Sequence, residues 1–456
     1  MIRPAIFGIA IAAVLGLSPC VAKAQDQPSG DYLAELKVAA PDRWTIIHAG
    51  TLMVDPDKPL QHDVSIVVHN DRIDSVRAGK VAPGALAGVP ADKAAYVELG
   101  DRFVMAGMID AHTHLALTPS LLKAAQNARI KLLGGATTVR DAGSVPSAIF
   151  PLKELIDNGL AVGPRILASG APLSTTGGHG DMRNGNFAAT LNDPDPWGGV
   201  CDGVETCQHV ARRQIALGAD NIKIMATAGV LDDSDTGLDQ QFTTDELTAI
   251  VKTAHLMKRK VLAHAIGRTG IAAAVTAGVD SIEHGSFIDE ETVAMMKKQG
   301  TFLVPALLTP AVVLDQVRHP KPGGTRWSDN SARKIERLPD ADPATQGRQV
   351  RMALRYGVKV GAGTDLLNPI GEELVMLVRK GGMSPLQALK AATTDNALLL
   401  GIEDQVGTVE AGKSADLVAF DGNPVERIED TLRITFIMAR GSQISDLGSV
   451  AYPGAN

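Results

Sequence analysis

Between residues 105 and 365 the chain repeats one pattern: a short apolar run, a polar residue near its end, then a stretch with helical periodicity. The runs fall at 105–114, 136–141, 165–169, 220–225, 260–264, 279–284, 301–305 and 358–362. Most are too short for helices and alternate with helical stretches, so they read as strands of βα repeats. Strands of that kind alternating with helices make a parallel sheet, and eight of them make a (β/α)8 TIM barrel of the α/β class. The helical stretches carry their own signals. Thr243-Thr-Asp-Glu246 is a capping box that opens a helix through Ala249, Ile250, Val251, Ala254 and Met257. A chain of 456 residues has room for such a barrel and an accessory module besides.

The flanks have a different texture. Thr45-Ile-Ile-His-Ala, Val64-Ser-Ile-Val-Val, Arg72-Ile-Asp-Ser-Val and Ala95-Tyr-Val-Glu-Leu are short runs broken by Asp, Gly and Pro, as in a small antiparallel sheet. Similar runs return after Gly401, over 406–420 and in Ile434-Thr-Phe-Ile-Met438. The two flanks are expected to fold together as one discontinuous β-domain, from residues 25–104 and 401–456 around a barrel at 105–400. His48, His62 and His69 fall in the first flank and His209 and His255 on helices. All five read as ordinary packing or surface histidines.

Residues 1–24 are separate again. Arg3 precedes an apolar run over 5–17, and Ala22-Lys23-Ala24 offers a small-x-small cleavage site. This is the form of a signal peptide, and the run is short for a retained membrane anchor. Pro19 fits poorly with a lipoprotein reading of Cys20. Cleavage after Ala24 and export to the periplasm or medium are expected, with no stable membrane span afterwards. In an oxidising compartment Cys201 and Cys207, six residues apart, read as a disulfide at a helix start, a lone pair being too few for a structural zinc site. A formal net charge of -7 and 4% aromatic content argue against nucleic acid as a partner.

The polar residues at the strand ends form a set. His112 and His114 end the first strand, Lys223 lies on the fourth, His264 ends the fifth, His284 the sixth and Asp365 the eighth. In this fold the strand ends and the loops after them build the active site. His112 and His114, two residues apart, share one strand face and can point at one object. Joined by Asp365 they can hold one divalent ion, and His264 with His284 a second. Two imidazoles are too few for a catalytic zinc, which generally has three protein ligands. Lys223 can make up the deficit: an ammonium cannot ligate, but a lysine carbamate has two anionic oxygens able to bridge ions roughly 3.5–4 Å apart. The competing reading is an amine paired with a nearby acid such as Asp220, or with the backbone. A hydroxide held between two ions is available at neutral pH, and Asp365 can accept its proton and pass it to a leaving nitrogen.

This metal set resembles that of the amidohydrolase superfamily, and Gly407-Thr-Val-Glu-Ala-Gly-Lys-Ser-Ala-Asp-Leu-Val418 resembles the segment of its small β-sandwich. Thr137-Thr-Val-Arg-Asp-Ala-Gly143, Gly177-Gly-His-Gly180 and Lys223-Ile-Met-Ala-Thr-Ala-Gly229 are similar to the imidazolonepropionase-like branch, with its Xaa-Pro dipeptidases, acyl-amino-acid hydrolases and ochratoxin-degrading amidohydrolases. The resemblance implies a TIM barrel with a discontinuous β-sandwich and a binuclear centre, with zinc as the metal and N6-carboxylated Lys223 as the bridge. It implies hydrolysis of an amide whose nitrogen belongs to an amino acid, in dipeptides or N-acyl amino acids, by an enzyme that assembles as a homo-oligomer. Ala228 departs from the branch, where glycine is expected, and that bears on loop shape.

His179, in a glycine-rich loop after the third strand, is read as a donor to the scissile carbonyl or product carboxylate, against a plain loop histidine. Arg140 and Asp141 read either as a buried pair ordering the mouth or as substrate contacts. Arg183, Arg268 and Arg326 are candidates to grip a carboxylate. The long connections at 170–206 and 307–348 are expected to shape the substrate pocket. Two other readings stay open: hydrolysis of a cyclic amide, of imidazolonepropionase type, and a metal-free barrel kept as a binding protein.

Overall fold

The computed structural model describes residues 42–184, 195, 197–233, 236–320 and 327–444. The segment 1–24 expected to be a signal peptide, with Cys20, and Arg326 lie outside the described residues. The first flank supplies β1 (Trp44–Met53), β2 (Gln61–His69), β3 (Arg72–Ala78), β4 (Ala94–Glu98) and β5 (Phe103–Ala106). Then come β6 (Met108–Thr113), β7 (Ala136–Asp141), β8 (Arg165–Ala168), β9 (Asn221–Met225), β10 (Lys260–Ala265), β11 (Ser281–His284) and β12 (Phe302–Val304). The last flank adds β13 (Leu417–Phe420), β14 (Ile434–Ala439) and β15 (Ser442–Gln443).

The flanks share one mixed sheet in the order β15-β14-β13-β5-β1-β2-β3, with β4 beside β1. Its seam is the antiparallel pairing of β5 with β13, where Val104 faces Ala419. Period-two alternation assigns these strands to two cores. Val104, Leu417, Ala419, Phe436 and Met438 turn to the sheet's own apolar cluster. Phe103, Met105, Val418, Phe420 and Ile437 turn to the large core that also holds the parallel strands and their helices.

The parallel strands form two sheets, β6-β7-β8 and β12-β11-β10-β9. Between them, Leu173 donates its N–H to the Lys223 carbonyl at 2.8 Å and accepts from Met225 N–H at 2.9 Å. On the far side Leu303 bridges Val360, and Ala111 N–H donates to the Ala362 carbonyl at 2.9 Å. The strand expected at 358–362 is therefore present only as a bridge. The Asn396 side chain occupies part of its ladder, donating from Nδ2 to the carbonyls of Ile109 and Ala362 at 2.7 and 2.8 Å.

Two further expectations change. The run 105–114 is two strands in two different sheets, divided at Gly107. A Cβ there would sit 2.1 Å from Thr137 Oγ1, so the crossing tolerates no side chain. The connection at 307–348 is not a bare loop but carries helices Leu308–Arg318 and Asp329–Glu336. The capping box at Thr243 and Glu246 has both reciprocal hydrogen bonds, and helix Thr244–Leu256 buries Leu247, Ile250, Val251 and Ala254 at helical spacing. Cys201 and Cys207 are joined, with Cα atoms 5.0 Å apart, at the start of helix Val204–Ala216.

Candidate metal centre and substrate cavity

Beyond the C-terminal ends of the parallel strands lies a cavity of about 800 Å³. His112, His114, His179, Lys223, His264, His284 and Asp365 all line it. The histidines set aside as ordinary (His48, His62, His69, His209 and His255) do not.

The groups meet closely. His114 Nε2 is 3.1 Å and His112 Nε2 3.4 Å from Asp365 Oδ1, and Lys223 Nζ is 3.5 Å from His112 Nε2. The His264 and His284 rings are edge to face at 4.8 Å, and His284 is 5.3 Å from the His112 ring. Ligand atoms of His112, His284 and Asp365 lie within 4.8 Å of one another, so this trio draws on both expected half-sites. His284 and Asp365 have left-handed backbones, φ 69° and 54°, a costly conformation for residues with a Cβ. At His284 it has a visible use. Strand alternation would send neighbours to opposite faces, yet Glu283 and His284 both reach the His112 ring.

Glu283 was not legible as part of the site. Its Oε2 is 2.7 Å from His112 Nδ1, which leaves His112 Nε2 facing the cavity. Arg140 donates to Glu283 Oε1 at 2.8 Å, to Ser281 Oγ at 3.1 Å and to the Ala111 carbonyl at 2.6 Å. Arg140 and Asp141 therefore do not pair with each other: Asp141 accepts from Leu115 N–H, Gly143 N–H and Ser144 Oγ. Beneath β6 and the Asp365 segment, Asp110 binds Lys131 at 2.5 Å and accepts from Thr364 Oγ1 at 2.8 Å. All of these are buried, so each charge has to be matched by a partner.

On the other side, His264 Nε2 has among the described residues the Ala228 carbonyl as its hydrogen-bond partner, at 3.4 Å. His179 stacks on His264 with ring centres 4.4 Å apart and places Nδ1 2.8 Å from Asp232 Oδ2. Gly229 rather than residue 228 is the position that must be glycine: a Cβ on it would fall 2.2 Å from the His179 ring. Of the arginine candidates, Arg183 is held by Asp181 at 2.6 Å, Arg268 is exposed beside Asp289, and neither lines the cavity.

Burial dominates the electrostatics. It pushes His284 down to about 4 and His112 and His264 well below the ordinary value, which keeps these rings neutral and able to ligate. For Lys223, burial lowers the ammonium to about 8. The Asp220 alternative is absent, since that carboxylate accepts from Ala168 N–H and lies 3.7 Å from Lys153. Burial alone would raise Asp365, but His112 and His114 outweigh it and hold the carboxyl below its usual range. His114 is raised in turn: Asp365 overcomes its burial.

Imidazoles kept able to ligate, an ionised carboxylate and a buried lysine at the ends of parallel strands suit a hydrolase of the α/β class whose site can hold divalent metal. A model of the amidohydrolase family matches residues 103–445, and the chain belongs to that family. It is 32% identical over 429 residues to an ochratoxinase from Aspergillus niger, covering 86% of this chain and 85% of that protein. Among solved structures it is similar to a Xaa-Pro dipeptidase with methionine bound in the active site, at TM-score 0.79 and 32% identity, covering 88% of this chain and 99% of that one. It is also similar to a prolidase complexed with N-methylphosphonate-L-proline, at TM-score 0.75 and 30% identity, covering 88% and 99%. The fold is thus a TIM barrel of the α/β class, and the protein is a hydrolase acting on amide bonds.

Proposed function

We propose that this chain is a binuclear metal-dependent amidohydrolase that cleaves the amide bond of dipeptides or N-acyl amino acids. The observation that carries this reading is Lys223. It is 1% exposed, lies among the site histidines, and among the described residues has no carboxylate within ion-pair distance. A buried amine with a lowered pKa spends more time unprotonated, the form that adds carbon dioxide to give N6-carboxylated lysine. His112, His114 and Asp365 would hold one divalent ion and His264 and His284 the other, with the carbamate between them and zinc as the metal. Ions held there would lower the pKa of bound water, which would make a hydroxide nucleophile available at neutral pH.

The chain's own residues do the rest. Asp365, ionised and 3.1 Å from His114, receives the proton of the attacking water on its carboxylate and returns it to the leaving nitrogen. Glu283 keeps His112 aligned through Nδ1. His179 faces the scissile group from the opposite wall. Leu117, Met182, Trp197, Val230, Val313 and Trp327 line the space around them, which excludes water and favours bulky apolar groups on the substrate. The likeness to a Xaa-Pro dipeptidase and a prolidase supports a substrate with an amino acid on the nitrogen side.

The same reading extends to architecture and location. The domain bounds follow this reading, a closed (β/α)8 barrel over 105–400, supported by the Leu173–Ile224 and Leu303–Val360 bridges, and a β-sandwich domain from 25–104 and 401–456, of which the described residues supply one eight-stranded sheet. Export after cleavage of 1–24 suits the Cys201–Cys207 disulfide, and the protein assembles as a homo-oligomer. No helix among the described residues is long and apolar enough to cross a membrane.

The test is a panel of Xaa-Pro, Xaa-Phe, Xaa-Leu, Xaa-Arg and N-acyl amino acid substrates, with metal analysis. About two equivalents of zinc are expected, with hydrolysis that stops on chelation. Lys223→Ala should lose both metal retention and turnover. Full activity of that variant with one metal ion would sink the binuclear mechanism, and hydrolysis of nothing in the panel would sink the substrate class.

A further inference from the structure

His179 is held on three sides. Its ring lies between Gly229 and the His264 ring, its backbone N–H donates to Gln241 Oε1 at 2.9 Å, and Nδ1 meets Asp232 Oδ2 at 2.8 Å. Among the described residues Nε2 has no hydrogen-bond partner, and His179 lines the cavity. Asp232 is 1% exposed and is gripped in turn. Gly229 N–H donates to Oδ2 at 2.6 Å, and Lys334 Nζ donates to Oδ1 at 2.9 Å, to the Asp232 carbonyl at 2.7 Å and to the Gly229 carbonyl at 3.2 Å. Lys334 is itself 4% exposed and belongs to helix Asp329–Glu336, within the long excursion that leaves the barrel after β12. That excursion is seated by an apolar cluster: Leu314, Ile335 and Leu338 pack with Ile266, Phe287 and Val230 from the loops after β10, β11 and β9.

We propose that Asp232 and Lys334 are positioning residues for His179. The Lys334–Asp232 ion pair, closed onto the loop after β9 by the outer helix, fixes the proton on Nδ1 and aims Nε2 at the reacting amide. The reasoning is one of hydrogen-bond roles. A carboxylate that accepts from an ammonium and a backbone N–H is ionised and can only accept, so its histidine partner must donate from Nδ1. Nε2 is then the ring atom left to meet the substrate. The buried lysine matters as much as the aspartate: without it, a fully buried carboxylate would carry an unbalanced charge and could take up a proton. The outer helix thereby becomes part of the reacting site, although it supplies no group that touches the substrate. This inference rests on the amide-hydrolase reading.

The experiment is a set of double-mutant cycles on the metal-loaded, full-length enzyme. Asp232→Asn, Lys334→Met and Lys334→Arg are each made with His179 intact and with His179→Ala. Asp232→Asn should lower kcat about 10- to 100-fold, as partners behind a working histidine do, with KM within about threefold and metal content unchanged. Lys334→Met should lose about tenfold, and Lys334→Arg should recover most of it. In the His179→Ala background all three should cost about twofold or less, because their effect passes through the missing ring. Loss of similar size in both backgrounds, or no loss with His179 intact, overturns the proposal. If Asp232→Asn does not fold, the Lys334→Met and Lys334→Arg pair decides alone. A second readout is independent of turnover: long-range ¹⁵N spectra of histidine-labelled enzyme should show His179 protonated at Nδ1, and its absence overturns the proposal too. An enzyme that cleaves no member of the panel fails the functional reading; one that cleaves but gives additive cycles fails only this proposal.

Discussion

The two sides of the candidate metal centre are built differently. The side of His112, His114 and Asp365 rests on buried side-chain acids and bases that belong to the strands and their adjoining helix: Glu283 with Arg140, and Asp110 with Lys131 and Thr364. The side of His264 and His179 rests on a backbone carbonyl and on a loop tied to an outer helix through Asp232 and Lys334. The first arrangement is preorganised whenever the strands are formed. The second depends on contacts from a part of the chain outside the strands. A preorganised site favours groups held by rigid elements, and only the first side is held that way.

That contrast can be broken from the rigid side first. Asp365→Asn should leave metal bound and cost about 10²- to 10⁴-fold in kcat; unchanged turnover in a metal-loaded variant would remove Asp365 from proton transfer. Glu283→Gln comes next. It unbalances the buried Arg140 and loosens His112, so a loss on the order of 3–5 kcal/mol of stability and about 10- to 100-fold in metal affinity or activity is expected. Chemical denaturation and a metal titration would read both, and a neutral result would mean that Arg140 alone orders this side.

The outer side should respond to pH instead. Asp340 is fully buried near Ser286 and Gln349, with neither oxygen in a hydrogen bond of normal geometry. Burial pushes its carboxyl up to about 6, and those two neighbours offset this only in part. The native state therefore keeps a proton that the unfolded chain releases near its ordinary value of 3.8. Stability from this group is present below that value and is lost as pH rises through about 6, by on the order of 3 kcal/mol at most. Melting temperature against pH should fall over that window, and Asp340→Asn should flatten the fall; an identical slope in the variant would reject the assignment. The smallest effect is expected at the disulfide. Cys201→Ser with Cys207→Ser opens a very short loop, worth about 2 kcal/mol by loop closure, and should leave kcat/KM near that of the parent enzyme. A large loss of activity there would show that the wall behind His179 is less independent than the geometry implies.

Much of the site can be read along the chain because its candidate ligands lie on or just beyond the parallel runs, and those runs are marked by where apolar residues stop. His112, His114, Lys223, His264, His284 and Asp365 are all visible in that way, and the capping box at Thr243 is visible because it is local. The residues that hold the site are a different matter. Glu283 precedes His284, and nothing nearby says that a left-handed backbone at His284 lets both face His112. Lys334 reaches Asp232 across about a hundred residues, a pairing with no local signature. The division of 105–114 at Gly107 depends on Thr137 approaching from another strand. The weakness of the 358–362 strand depends on an amide from Asn396. Periodicity, capping and strand-end chemistry are short-range properties, so the sequence by itself determined the alternating architecture and which polar residues gather at the cavity. The matching of buried charges is long-range: a partner is needed wherever water is excluded, and only the tertiary structure decided which residue filled that need.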